Sequence, residues 1–125
     1  MDRASQAVRP AADLVRSYYQ RVDAGDVDGV LDLFDPEAVY RRPGYEPMRG
    51  RDALNAFYRS ERVIEHGTHT VVTVTEQLPR VAVSGEFTGT LRSGKQVSLE
   101  FADFFTVGTD GRFSHRETYF YSPLV

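Results

Sequence analysis

Apolar side chains recur at steps of three and four from Ala11 and Ala12 through Val15, Tyr18, Tyr19 and Val22, a spacing that lays one stripe along a helix. Ala24-Gly25 ends the pattern. Asp26 stands where it can cap a second short helix carrying Val27, Val30, Leu31 and Phe34, which Asp35-Pro36 stops. Glu37 to Arg42 reads as a short strand. Pro43-Gly44 and Pro47 to Gly50 punctuate a turn-rich loop, and a third helix is predicted from Arg51 to about Ile64, with Leu54, Phe57 and Tyr58 on related faces.

From Thr68 the period changes to two. β-Branched and aromatic stretches at Thr68 to Leu78, Arg80 to Leu91, Lys95 to Val107 and Arg112 to Tyr121 are separated by Leu78-Pro79, Arg92-Ser93-Gly94 and Gly108-Thr109-Asp110-Gly111. Such short connections predict an antiparallel meander. Helices first and strands afterwards is an α+β order, and Gly85 and Gly89 suit a strand that must bend.

Composition narrows the function classes. The 125 residues, 41% hydrophobic and 26% charged, suit one domain over 1–125 with a single core. Eight Phe and seven Tyr make it rich in aromatic surface. A formal charge of -3 with both signs mixed offers no basic stripe for nucleic acid. The apolar runs are short, and Met1 to Pro10 carries Asp2, Arg3 and Arg9 without a hydrophobic signal core, so a soluble, cytoplasmic protein with no membrane partner is expected. The absence of cysteine removes disulfides, thiolate zinc sites and a cysteine nucleophile.

The strongest chemical signal lies on the third long strand, where Val97, Leu99, Phe101, Asp103, Phe105 and Val107 share a face. A carboxylate in an apolar row either takes up a proton or finds a cation and donors. Both states are chemically useful, and a structural pairing with an arginine is the plain alternative. Tyr18, Tyr19 and Tyr58 on the helices offer phenols that can donate to a ligand oxygen, or simply fill the core. In Tyr40-Arg41-Arg42-Pro43, alternation turns one arginine inward, as carboxylate partner or anion clamp. On the last strand, counting apolar residues favours Phe113, His115, Glu117, Tyr119 and Tyr121 as the inward face, against Arg112, Ser114, Arg116, Thr118 and Phe120. His66, His69 and His115 form no metal motif, and neither a phosphate loop nor a nucleophile elbow is present. No cofactor is expected.

Taken in order, Tyr18, Ala24-Gly25-Asp26, Leu33-Phe34, Gly50-Arg51-Asp52-Ala53-Leu54, Phe57-Tyr58 and Ala102-Asp103-Phe104-Phe105 resemble the pattern of the nuclear-transport-factor-2-like (NTF2-like) superfamily. The likeness runs from about Asp13 to Tyr121 and is closest to the branch of ketosteroid isomerases, limonene-epoxide hydrolases and SnoaL-like polyketide cyclases. It implies a cone-shaped cystatin-like roll, a curved antiparallel sheet wrapped by N-terminal helices around an apolar pocket, and a homodimer. Because this fold hosts many activities, the residues must carry the function.

Ketosteroid isomerases hold an oxyanion with a helix tyrosine and a protonated strand aspartate, a pairing known as a worked case of pKa tuning. The resemblance puts Tyr18 and Asp103 at those positions, with Tyr58 supporting Tyr18. It also puts Arg42 where that family has its aspartate base, and a guanidinium does not accept a proton at neutral pH. Limonene-epoxide hydrolases use an arginine and a second aspartate where Phe101 and Thr118 stand here, and Thr118 likewise replaces the acidic base of SnoaL-like cyclases. The same alignment turns Arg116, Thr118 and Phe120 inward, against the apolar count, and leaves Glu117 at an interface.

These readings imply an isomerase- or cyclase-type enzyme acting on a polycyclic or polyketide-like carbonyl or epoxide compound. Tyr18, Asp103 and Tyr58 would be catalytic, and Arg42, His69, Phe101, Phe105, Arg116, Thr118 and Phe120 would contact the substrate. His69, in a strand row with Val71, could supply the missing base. Alternatives are a non-catalytic binding or accessory module, with Asp103 ionised and paired to Arg42 or Arg116, an epoxide hydrolase, and a purely structural dimerisation domain.

Overall fold

A computed structural model describes residues 10–121. The charged start and both ends of the 1–125 domain lie outside them. Helix α1, Ala11–Asp23, buries Leu14, Val15, Tyr18, Tyr19 and Val22, the stripe that the spacing predicts. Its end is a Schellman turn: Gly25, at φ 74, donates to the carbonyl of Val22 and Asp26 donates to that of Arg21. Glycine enters this left-handed region without a Cβ clash, so the helix stops at a defined residue, Asp23. Asp26 then caps α2, Val27–Leu31, by accepting from the Gly29 amide at 3.0 Å.

Phe34 opens strand β1, Phe34–Arg41, instead of closing α2, so the strand begins earlier than its composition suggests. A two-residue strand β2, Met48–Arg49, leads to α3, Gly50–Ala56. The third helix does not continue to Ile64. It widens into a π-helical turn, Phe57–Glu61, in which Arg62 donates to the carbonyl five residues back at Phe57. Phe57 and Tyr58 are both buried with Leu54, as their spacing of three and four predicts. Ile64 already belongs to β3, Ile64–Gln77, followed by β4, Arg80–Leu91, β5, Gln96–Val107, and β6, Phe113–Tyr121.

These strands form one curved, unclosed sheet in the order β2-β1-β6-β5-β4-β3. The meander β3 to β6 is antiparallel as expected. The sheet as a whole is mixed, because β1 runs parallel to β6, with Tyr40 opposite Arg116. A parallel neighbour requires a long crossover, and the segment from α3 through β5 supplies it. Helix α1 packs on β3 and β4, and α3 on β1. The core between helices and sheet includes Val15, Phe34, Leu54, Phe57, Phe105 and Phe113.

The inward face of β6 corrects the apolar count. Thr106 pairs with His115 and Val107 with Phe113, so Ser114 is an extra residue, a β-bulge. Phe113 is therefore buried on the same side as Arg116 and Thr118, at 0%, 3% and 5% exposure. A strict alternation rule fails across that bulge. Outside it, Tyr119 and Tyr121 point away from the core, and Glu117 bonds Arg41 at 2.8 Å and Arg80 at 3.3 Å on the outer face.

Candidate active site

Between the concave sheet and the helices lies a cavity of about 330 Å³, at the lower end of the range for ligand pockets. Val63, Ile64, Phe87, Leu91, Val97, Leu99, Phe101 and Phe120 give it apolar walls, and Arg42, His69, Asp103, Arg116 and Thr118 converge on it. A larger groove of about 470 Å³, between the α1–α2 junction and the start of β3, mixes apolar residues such as Val27 and Val30 with charged ones including Arg59, Arg62 and Arg92. Few convergent polar groups in an apolar enclosure mark the first as the candidate site.

Asp103 on β5 is completely buried. Arg116 Nη2 donates to its Oδ2 at 2.8 Å, the Tyr19 hydroxyl donates to the same oxygen, and the Thr118 hydroxyl donates to Oδ1. Each carboxylate oxygen accepts, which is the arrangement of an ionised acid. Burial and the Asp103 charge push the Tyr19 phenol well above its ordinary value, so it stays a donor. Burial opposes the Arg116 charge, but Asp103 and the surrounding tyrosines outweigh it and keep the guanidinium protonated. Of the two states open to Asp103 in sequence, the hydrogen bonding matches the ion pair with Arg116, and the expected proton donor has become an acceptor.

The tyrosines differ from expectation in the same way. Tyr18 and Tyr58 share a hydrogen bond at 2.7 Å, as the resemblance implies, but neither lines the cavity. Arg116 Nη1 donates to both hydroxyls, at 2.5 Å to Tyr18 and 3.3 Å to Tyr58. They sit beneath the site and hold Arg116. Phe105 is also behind the wall, fully buried against Tyr18, Tyr19 and Phe113, so its expected substrate contact is replaced by a core role. Phe101, Thr118 and Phe120 do line the cavity.

Arg41 points outward and Arg42 inward, the split that alternation predicts. Arg42 Nη1 donates to the Tyr40 hydroxyl at 3.2 Å, and Tyr40 bonds Thr118 at 2.9 Å. Its guanidinium lies 5.1 Å from the Phe120 ring centre and 5.7 Å from that of Phe57. No carboxylate pairs with it among the described residues, and its buried Nε has no acceptor.

His69 on β3 has a partner that sequence spacing does not reveal. The Asp23 carboxylate, fixed at the end of α1 by the glycine turn, accepts from the His69 amide at 2.8 Å and faces its Nδ1 at 2.6 Å. A carboxylate can only accept, so Nδ1 carries the hydrogen and Nε2 keeps its lone pair. Burial lowers the His69 pKa from its ordinary 6.5, more than the Asp23 hydrogen bond raises it, so the ring is neutral at neutral pH. The ring is clamped by Phe87 at 4.7 Å, Tyr19 at 5.2 Å and Phe101 at 5.4 Å between centroids.

Three glycines make that clamp possible. A Cβ at Gly67 would lie 2.3 Å from the Phe87 ring, one at Gly89 2.6 Å from the same ring, and one at Gly85 2.7 Å from the Phe101 ring. The residues missed in sequence are thus Asp23, Tyr19 as an Asp103 ligand, and Tyr40.

With this geometry in place, comparison with known proteins adds the lineage. The family model described as SnoaL-like domain matches residues 15–116. The chain belongs to the SnoaL-like domain family. An NTF2-like protein of unknown function from Burkholderia pseudomallei superposes with a TM-score of 0.79 at 23% identity, covering 87% of this chain and 88% of that one. SalBIII, an epoxide hydrolase/cyclase-like enzyme of pyran ring formation in the polyether salinomycin, superposes at 0.77 with 22% identity, over 87% of this chain and 88% of that chain. These likenesses establish the NTF2-like fold of the SnoaL-like chain. A 45-residue stretch is 47% identical to epoxide hydrolase LasB of Streptomyces lasalocidi, and spans 35% of this chain but only 16% of that protein. Among the described residues, no helix of the SnoaL-like domain is long and apolar enough to cross a membrane.

Proposed function

We propose that this SnoaL-like domain is an isomerase- or cyclase-type enzyme that takes a proton from a small, largely apolar carbonyl or polyketide-like compound, with His69 as the general base. One observation carries the reading: a neutral imidazole lines the cavity with Nδ1 held by a carboxylate, which leaves Nε2 to accept a proton. Asp23 is the positioning residue, fixing the tautomer and offsetting charge on the ring as it becomes imidazolium. The base lost by the Arg42 replacement is thereby supplied from another strand.

Arg116 completes the chemistry. Its Nη atoms are held by Asp103, Tyr18 and Tyr58, which fixes the guanidinium in the cavity wall, where its positive charge can stabilise negative charge as it develops on a substrate oxygen. In this reading Tyr18, Tyr58 and Asp103 act through Arg116 and do not touch substrate. Epoxide opening, suggested by the names of LasB and SalBIII, needs a proton donor at the oxygen, and a permanently charged guanidinium is a poor one.

The test uses nitrobenzisoxazole, a neutral probe of proton abstraction. His69 Nε2 takes the ring C–H proton, the C–H electron pair forms a nitrile as the N–O bond breaks, and the ring opens to a single coloured cyano-nitrophenolate. His69→Gln is expected to lower the rate at least about 100-fold, the usual range for a general base. An unchanged rate in a folded His69→Gln variant would favour the binding-module reading, which the Asp103–Arg116 pair also suits. We read the outer sheet face, where Tyr119 and Tyr121 are 51% and 83% exposed, as the homodimer face. Light scattering of Tyr121→Lys should then show a shift toward monomer, and no shift would remove that assignment.

A further inference from the structure

We infer that the natural ligand is a small apolar monoanion, a carboxylate or an acidic enol, whose charge is bound by Arg42. The inference rests on the same cavity as the proton-transfer reading and names its substrate class. Two guanidiniums and one carboxylate face this cavity. Asp103 is already committed to Arg116 at 2.8 Å, so Arg42 is the uncompensated charge of the wall. A partly buried charge without a partner loses hydration, and an anionic ligand offsets that loss where a neutral one does not.

The local geometry favours a carboxylate over a more highly charged group. Arg42 has one tie, Nη1 to the Tyr40 hydroxyl, and its Nη2 bonds no described residue, which leaves a guanidinium donor for a ligand oxygen. The rings of Phe120, Phe57 and Tyr45 stand 5.1, 5.7 and 5.9 Å from its guanidinium carbon and restrict its swing. Among the described residues, no second cation without a carboxylate partner faces the cavity to balance a dianion such as a phosphate monoester. Val97, Leu99, Phe101 and Leu91 require the remainder of the ligand to be apolar. At about 330 Å³ the cavity fits a body of one or two fused rings.

The experiment is calorimetric titration of the intact protein with naphthoate and with its neutral counterparts naphthamide and naphthaldehyde. Naphthoate is expected to bind about 10- to 100-fold tighter than either, from a hydrogen-bonded charge pair in a desolvated site. Arg42→Gln should abolish that preference, and Arg42→Lys, which keeps the charge without the fork, should retain part of it. Equal or weaker binding of naphthoate by the unmodified protein overturns the inference, as does an undiminished preference in Arg42→Gln. Should Arg42→Gln melt early, salt dependence in the unmodified protein decides: naphthoate binding should weaken with salt while naphthamide binding stays constant, and equal dependence overturns the assignment. The nitrobenzisoxazole reaction is neutral in its substrate and reads His69, so base and anion site can fail separately.

Discussion

Removing the Asp103 carboxylate should damage the fold more than an active-site substitution normally does. The Asp103 and Arg116 side chains are 0% and 4% exposed, and three donors converge on the acid. Asp103→Asn keeps one acceptor oxygen but leaves the Arg116 charge unopposed and at least one donor unpaired. Breaking one side of a buried ion pair costs about 3–5 kcal/mol. For a chain of 125 residues, an unfolding entropy of about 2.1 cal/mol/K per residue makes 1 kcal/mol worth about 4 °C, so the midpoint should fall by about 12–20 °C. Thermal unfolding followed by circular dichroism, checked by calorimetry for two-state behaviour, measures it. The control is Asp103→Leu combined with Arg116→Met, which removes both charges and should be less destabilised than Asp103→Leu alone. A loss below about 4 °C in Asp103→Asn, or a double variant worse than the sum of its singles, would refute the ion-pair account and return Asp103 to the role of a neutral donor.

Three further outcomes follow from His69 and its surroundings. Its folded pKa lies below 6.5, so between the two values the unfolded chain binds the extra proton; its contribution to stability is complete above pH 6.5 and is lost as pH falls through the folded value. The rate of nitrobenzisoxazole cleavage should show an acid limb below pH 6.5, and a limb above it would exclude His69 as the base. Asp23→Asn removes the group that raises the pKa, so the limb should move to lower pH while the plateau rate falls, and an unmoved limb would show that Asp23 does not control the ring. Gly67→Ala places a Cβ 2.3 Å from the Phe87 ring and 2.7 Å from the Thr88 carbonyl, so it should cost about 1–3 kcal/mol and reduce plateau rate through a loosened clamp; denaturation with urea beside the rate assay checks both.

Much of the frame was legible because it depends on local periodicity. The α1 stripe, the Ala24-Gly25-Asp26 stop and cap, and the shared face of Phe101, Asp103 and Phe105 follow from side-chain direction and glycine conformation alone. What was not legible depends on an inserted residue or a long-range meeting. The Ser114 bulge reverses the face of β6 without altering composition, and the π-helical turn closes the third helix before Ile64 with no change in spacing that sequence displays. The parallel pairing of β1 with β6 joins segments far apart in the chain.

The acid in the apolar row and the histidine on β3 illustrate the same limit from the chemical side. Burial can be inferred from neighbours on a strand, but protonation depends on which donors and acceptors arrive from elsewhere. Asp103 draws Tyr19 from a residue 84 positions away, Thr118 and Arg116 from the next strand, and becomes an acceptor. His69 draws Asp23 from 46 positions away and keeps a free lone pair. Two polar groups around one cavity are thus given different partners: the acid is spent on holding an arginine, and the imidazole has its Nδ1 held by a carboxylate. The proposed proton transfer by His69 therefore depends on the helix carrying Asp23 ending where Gly25 ends it.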